Sequence, residues 1–85
     1  MPYWVYILQS ETTGRFYVGQ TADLAERLRR HREGRTAATK GRGPWRLVHR
    51  EEFPTRQAAV ARERAIKRRK SHAYIAALGA QPLVG

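Results

Sequence analysis

Tyr3-Trp4-Val5-Tyr6-Ile7-Leu8-Gln9, followed after Ser10-Glu11-Thr12-Thr13-Gly14 by Arg15-Phe16-Tyr17-Val18-Gly19-Gln20, decides the fold. Both outer runs are rich in aromatic and β-branched side chains, which suit a pleated, half-buried surface. The five residues between them are polar turn formers ending in glycine. Two such runs joined by so short a turn predict an antiparallel β-hairpin. The amino-terminal run has no basic stretch before it and no small residues after it, so it reads as a first strand and not as a signal peptide.

Beyond the hairpin the period changes. From Thr21 to Gly34, Leu24 and Leu28 recur four apart, Asp23 precedes Glu26 by three as in a capping box, and Gly34 closes the segment. These signals predict an amphipathic helix. Residues 35–44 have no hydrophobic period and carry Arg35, Lys40 and Arg42 among Gly and Pro, which predicts an exposed cationic loop suited to clasping phosphate. Trp45 to Phe53 alternates in part, with Trp45, Leu47 and His49 against Arg46, Val48 and Arg50, and predicts a third strand ended by Pro54. Thr55 then caps a helix reaching about Lys70, with Ala58, Ala59, Val60, Ala61, Ala65 and Ile66 before the basic run Lys67-Arg68-Arg69-Lys70. Ser71 caps a last short helix through Leu78, and residues 79–85 read as a frayed end. The order β-β-α-β-α-α predicts an α+β fold, a small three-stranded antiparallel sheet flanked by helices.

Eighty-five residues suffice for a single domain, with a core at about residues 2–78. A chain this short buries only roughly 60 to 65% of its unfolded surface. The hydrophobic 41% lies in short clusters. None approaches the ~18 residues a membrane helix needs, so no membrane partner is expected. The absence of cysteine excludes disulfides and thiolate metal sites and fits a cytoplasmic location. Seventeen Lys and Arg against seven Asp and Glu give a formal charge of +10 on 9.8 kDa, with a pI near 11.3. Such self-repulsion points to an acidic partner, nucleic acid first, with anionic lipid or a merely solvated face as alternatives.

Three groups of residues are candidates for chemistry. Tyr6 and Tyr17 sit one on each hairpin strand, either as an aromatic packing pair or as functional phenols. Arg27 and His31 lie four apart on the first helix, so they are surface neighbours. His31 falls on the stripe of Leu24 and Leu28, with Arg27 at its edge. Their donors need a partner such as phosphate, although a histidine so placed can equally be a satisfied structural residue. Glu63 falls on its helix between Val60 and the pair Ala59 and Ile66, amid Arg62, Arg64, Lys67, Arg68 and Arg69. It is either the ion-pair partner of one of those bases or a hard oxygen ligand for Mg²⁺ or Mn²⁺.

Taken together, these residues resemble the GIY-YIG nuclease family, in particular its small stand-alone bacterial members. The two naming motifs are matched by Trp4-Val5-Tyr6 and Tyr17-Val18-Gly19, and the match continues through Gln20-Thr21, Asp23-Leu24, Arg27, His31 and Glu63. It covers roughly residues 2–70. Trp4 stands where the name-giving glycine would be, and the Asn that follows the Glu in some members has no clear counterpart. The resemblance implies a metal-dependent endonuclease that hydrolyses phosphodiester bonds in DNA, with structured or damaged DNA as candidate forms; a non-catalytic nucleic-acid-binding module of the same fold is the alternative. It further implies one divalent ion, Mg²⁺ or Mn²⁺, held by Glu63. Arg27 would grip the scissile phosphate and Tyr6 or Tyr17 would orient or deprotonate the attacking water, while His31 would share the base role or bind phosphate. Gly19, giving close backbone approach, and Arg30, Arg35, Lys40, Arg42 and Lys67 are expected against the DNA backbone.

Overall fold

A computed structural model describes residues 2–80. The elements run β1 (Tyr3–Ser10), β2 (Phe16–Thr21), α1 (Leu24–Arg32), β3 (Trp45–Phe53), α2 (Arg56–Arg69) and α3 (His72–Gly79). Gly79 and Ala80, expected in a frayed end, instead close and cap α3; the rest of that expectation, residues 81–85, lies outside the described residues.

The sheet is antiparallel throughout, in the order β2-β1-β3. β1 is therefore central and covered on both faces, so Val5, Tyr6, Ile7 and Leu8 are all buried. One face carries the core: Val5, Ile7, Val18 and Val48 meet Ala59 and Ile66 of α2, with Tyr74, Ile75 and Leu78 of α3 packed beside them. The other face presents Tyr6 and Leu8 toward α1. Side chains alternate across a strand, so one hydrophobic strand supplies a core on one side and a site on the other.

The alternation expected for β3 is broken. Ile7 pairs with His49 but Leu8 with Leu47, leaving Val48 as an extra residue. This bulge switches the parity, so Val48 and Phe53 join the α2 core while Arg50 turns back over the Trp4 ring on the α1 side.

The helix ends follow the side chains that cap them. Asp23 Oδ1 accepts from the Glu26 amide at 3.0 Å, Thr55 from that of Ala58 and Ser71 from that of Tyr74. Only half of the expected capping box forms, because the Glu26 carboxylate turns forward to Arg29 and Arg30 and the Asp23 amide donates to Thr21 Oγ1. Gly34, at φ +74°, ends α1: its amide donates to the His31 carbonyl and that of Arg35 to the Arg30 carbonyl, the paired bonds of a Schellman motif.

Residues 35–44 depart from the expected exposed loop. The Ser10 hydroxyl donates to the Arg42 carbonyl at 2.6 Å, the Trp45 indole N–H to the Thr39 carbonyl at 2.9 Å, and the Glu11 amide to the Pro44 carbonyl at 2.9 Å. Lys40 and Arg42 remain exposed, but Thr39 is 1% exposed and points inward. A loop tied through residues 39–44 to the hairpin and β3 can hold a polar side chain inside the fold.

Candidate active site

The hairpin and α1 bring Tyr6, Tyr17 and His31 into one cluster. Ring centroids are 6.2 Å apart for Tyr6 and Tyr17, 5.7 Å for Tyr6 and His31, and 5.0 Å for Tyr17 and His31. The two contacts to the imidazole are edge-on, the arrangement favoured by ring quadrupoles. Tyr6 Oη lies 2.9 Å from His31 Nε2, and His31 Nδ1 lies 2.8 Å from Thr39 Oγ1. His31 is the sole buried residue of α1, at 4% exposure, in keeping with its place on the leucine stripe. Both of its ring nitrogens have hydroxyl partners.

Gly19 lies across from Tyr6 in the β1–β2 register. A Cβ built there would stand 2.6 Å from Tyr6 Oη, so the missing side chain leaves room for the phenol. Tyr17 is half-buried, and its hydroxyl has no hydrogen-bond partner among the described residues. The two tyrosines thus differ: one is locked inside, the other is free to meet a ligand.

Electrostatics sharpen that difference. Burial raises the Tyr6 phenol well above its ordinary range, Tyr17 and Glu63 push the same way, and the charge and hydrogen bonding of Arg27 oppose them. Tyr6 therefore stays protonated at any physiological pH. Burial, reinforced by the Arg27 charge, lowers the His31 pKa, so the imidazole is neutral near pH 7. Arg27, on α1 one turn before His31, thus acts electrostatically on both the Tyr6 phenol and the His31 imidazole.

Glu63 comes from α2, whose Ala59 and Ile66 pack against the opposite face of the sheet. Its charge is nevertheless felt at the Tyr6 phenol. The carboxylate is 18% exposed, and Oε2 accepts from Lys67 Nζ at 2.8 Å, so the ion pair with a neighbouring base does form. Among the described residues no group of three or more His, Asp or Glu converges as a metal cage.

The basic positions divide in two. Arg30 pairs with Glu26 at 3.1 Å, Arg35 with Glu33 at 3.1 Å and Lys67 with Glu63, whereas Lys40 and Arg42 stand exposed without an acid partner among the described residues. Sequence reasoning missed Thr39, for which a threonine in an aperiodic loop gives no local signal. It also missed the partner of Arg62, which is Glu51: Nε and Nη2 meet its two oxygens at 2.8 and 3.0 Å, while His49 Nε2 lies 2.7 Å from Oε2. Burial would raise the Glu51 carboxyl, and the hydrogen bonds from Arg62 and His49 outweigh it, so the net shift is downward. Here a signal existed, since Glu51 precedes the core residue Phe53 by two and must share its face.

A three-stranded antiparallel sheet with a buried tyrosine–histidine pair, a free second tyrosine and an arginine beside them defines a compact α+β domain with a polar site on one sheet face. The chain belongs to the GIY-YIG nuclease family: residues 2–74 match the GIY-YIG catalytic domain. It is 37% identical over 83 residues to UPF0213 protein BH0048 of Halalkalibacterium halodurans, covering 93% of this chain and 87% of that one. It is also 41% identical over 85 residues to the structure-specific endonuclease subunit SLX1 of Meyerozyma guilliermondii, covering 91% of this chain but 28% of that longer protein. The solution NMR structure of UPF0213 protein BH0048 from Bacillus halodurans superposes with a TM-score of 0.56 at 36% identity, over 94% of this chain and 88% of the other. That likeness bears out the small α+β architecture. Among the described residues no helix is long and apolar enough to cross a membrane.

Proposed function

We propose that this chain is a metal-dependent endonuclease that hydrolyses phosphodiester bonds in DNA. The observation that carries it is the asymmetry of the two tyrosines. Tyr6 is fully buried against His31, and Tyr17, 6.2 Å from it, keeps a hydroxyl free of partners among the described residues. A pair built for packing alone has no need of a neutral imidazole and a guanidinium at its polar ends. The similarity to proteins named structure-specific endonuclease subunits supports nuclease chemistry and favours structured DNA as the substrate form.

In this reading Tyr17 receives the attacking water and orients it, by proximity and hydrogen bonding, toward the phosphorus. Arg27 grips the nonbridging phosphate oxygens with its planar fork and balances the charge that builds there. Tyr6 anchors the guanidinium side of the site and does not act as base, because its proton is held by burial. His31 works through Tyr6, since neither of its ring nitrogens is left for phosphate.

The single carboxylate of Glu63 fits a hard cation that retains most of its waters, as Mg²⁺ does, and one of its oxygens has no partner among the described residues. Lys67 would have to yield the other oxygen or share it. When bound, the ion would supply Lewis-acid stabilisation of the phosphoryl oxygens. Incubation with supercoiled plasmid and branched DNA, with and without Mg²⁺ or Mn²⁺, tests the proposal. Nicking by the wild type that Glu63→Gln abolishes is expected; DNA binding without nicking in any metal would leave the non-catalytic module as the function.

A further inference from the structure

We propose that Thr39 is a positioning residue: it holds His31 in the tautomer protonated on Nδ1, so that Nε2 accepts the Tyr6 hydroxyl proton and leaves the phenolic oxygen itself as an acceptor. The catalytic consequence rests on the nuclease reading above; the tautomer does not.

The direction of the chain follows from counting donors. Tyr6 is 0% exposed, and among the described residues His31 Nε2, at 2.9 Å, is the acceptor within hydrogen-bond distance of its hydroxyl. The Arg27 guanidinium, which acts on the same phenol through its charge and hydrogen bonding, can only donate. If Nε2 carried the imidazole proton, the buried phenol would have no acceptor for its own hydrogen among the described residues. A buried hydroxyl proton without a partner leaves the full desolvation penalty of that group uncompensated. The arrangement that satisfies every group sends the Tyr6 proton to Nε2 and places the imidazole proton on Nδ1.

Nδ1–H then needs its own acceptor. Thr39 Oγ1 lies 2.8 Å away, is 1% exposed, and can direct its own hydrogen toward the Thr36 carbonyl at 3.4 Å. The Thr39 backbone is fixed independently, its carbonyl accepting from the Trp45 indole and its amide donating to Thr36. The hydroxyl is therefore held in place by contacts that do not involve the site. The relay Tyr6 to His31 to Thr39 joins β1, α1 and the loop before β3 in one direction of donation.

The test reads the imidazole directly. Long-range ¹H–¹⁵N correlation spectra of the histidine-labelled full chain, with the signal assigned by its loss in His31→Gln, should show a pyrrole-type Nδ1 and a pyridine-type Nε2 for His31. Thr39→Val keeps the shape, removes the acceptor and should move His31 toward the Nε2-protonated form; Thr39→Ser should retain the wild-type pattern. In plasmid nicking, Thr39→Val should lose about tenfold in kcat with KM unchanged, the scale at which outer-shell partners act, and Thr39→Ser should recover it. A wild-type His31 protonated on Nε2 overturns the proposal even if Thr39→Val does not fold. So does a folded Thr39→Val protein with an unaltered tautomer or unaltered kcat. If the wild type shows the Nδ1–H pattern but never nicks DNA, the nuclease reading fails while the tautomer assignment stands.

Discussion

Gly19 and Tyr6 face each other across the β1–β2 ladder so closely that a methyl group on the glycine would lie 2.6 Å from the phenolic oxygen. The neighbouring atoms are those of a ring pinned between His31 and the sheet, so the clash cannot be relieved by a flexible tip. Gly19→Ala should push the Tyr6 ring off His31 and destabilise the fold by about 1 to 3 kcal/mol, the usual cost of overpacking. Urea unfolding measures the loss; a variant as stable as the wild type, with the Tyr6–His31 contact intact by NMR, would contradict the crowding.

The two glutamates of interest should separate cleanly. Glu51 holds Arg62 by two bonds at the sheet–α2 interface, with both side chains mostly buried, and Glu51→Gln should cost about 2 kcal/mol. Glu63 meets Lys67 one helical turn on, at a lysine that is 53% exposed, so Glu63→Gln should change stability by less than about 0.5 kcal/mol. Denaturant midpoints beside nicking rates check both halves: Glu63→Gln should stay folded, bind DNA at least as well, and fail to cut. A well-folded Glu63→Gln protein with full metal-dependent nicking would remove Glu63 as the metal ligand.

His31 makes stability depend on pH. Its folded pKa lies below the unfolded value of about 6.5, through burial first and the Arg27 charge second, so the unfolded chain takes up the proton more readily. The stability it contributes is present above pH ~6.5 and is lost as pH falls through the lowered folded value. The groups around it are the Tyr6 and Tyr17 phenols, Thr39 Oγ1 and the Arg27 cation, which is charged throughout this range. Unfolding free energies measured at several points between about pH 7.5 and pH 5 should fall more steeply for the wild type than for His31→Gln. Parallel curves would show that the imidazole is not the group responsible.

DNA binding should follow the free cations, not the paired ones. Among the described residues Lys40 and Arg42 have no acid partner, whereas Arg30 and Arg35 are already engaged by Glu26 and Glu33. Lys40→Ala and Arg42→Ala should weaken binding more than Arg30→Ala and Arg35→Ala. Each of the first two should also reduce the slope of log K against log salt by about one counterion. Equal effects at all four positions, or a dissociation constant insensitive to salt, would count against this division.

Much of this architecture is legible in the chain itself. The caps Asp23, Thr55 and Ser71, the hairpin and the span of β3 follow from local rules, because each depends on neighbours within four residues. The inward turn of His31 is equally local, set by its phase with Leu24 and Leu28. What escaped prediction depends on distant parts of the chain. The bulge at Val48 is a property of how β3 registers on β1, and the Glu51–Arg62 pair joins residues eleven apart through a packing choice. Thr39 reaches His31 only because the loop is tied to Ser10 and Trp45 from outside. Glu63 shows the reverse limit: its helical phase was readable, but that phase alone could not choose between Lys67 and Arg62.

The central position of β1 has an evolutionary consequence. A strand covered on one side tolerates exchange at every second position, but Val5, Tyr6, Ile7 and Leu8 are enclosed on both sides. A saturation mutagenesis scan selecting for folded protein should therefore show an unbroken block of intolerance there, flanked by β2 and β3, where permissive and restrictive positions interleave. Descendants of this chain can vary their surfaces widely, yet the four residues at the middle of the sheet leave almost no neutral path: one pair of alternate positions builds the core and the other the floor of the site, and no single substitution can serve one without being felt by the other.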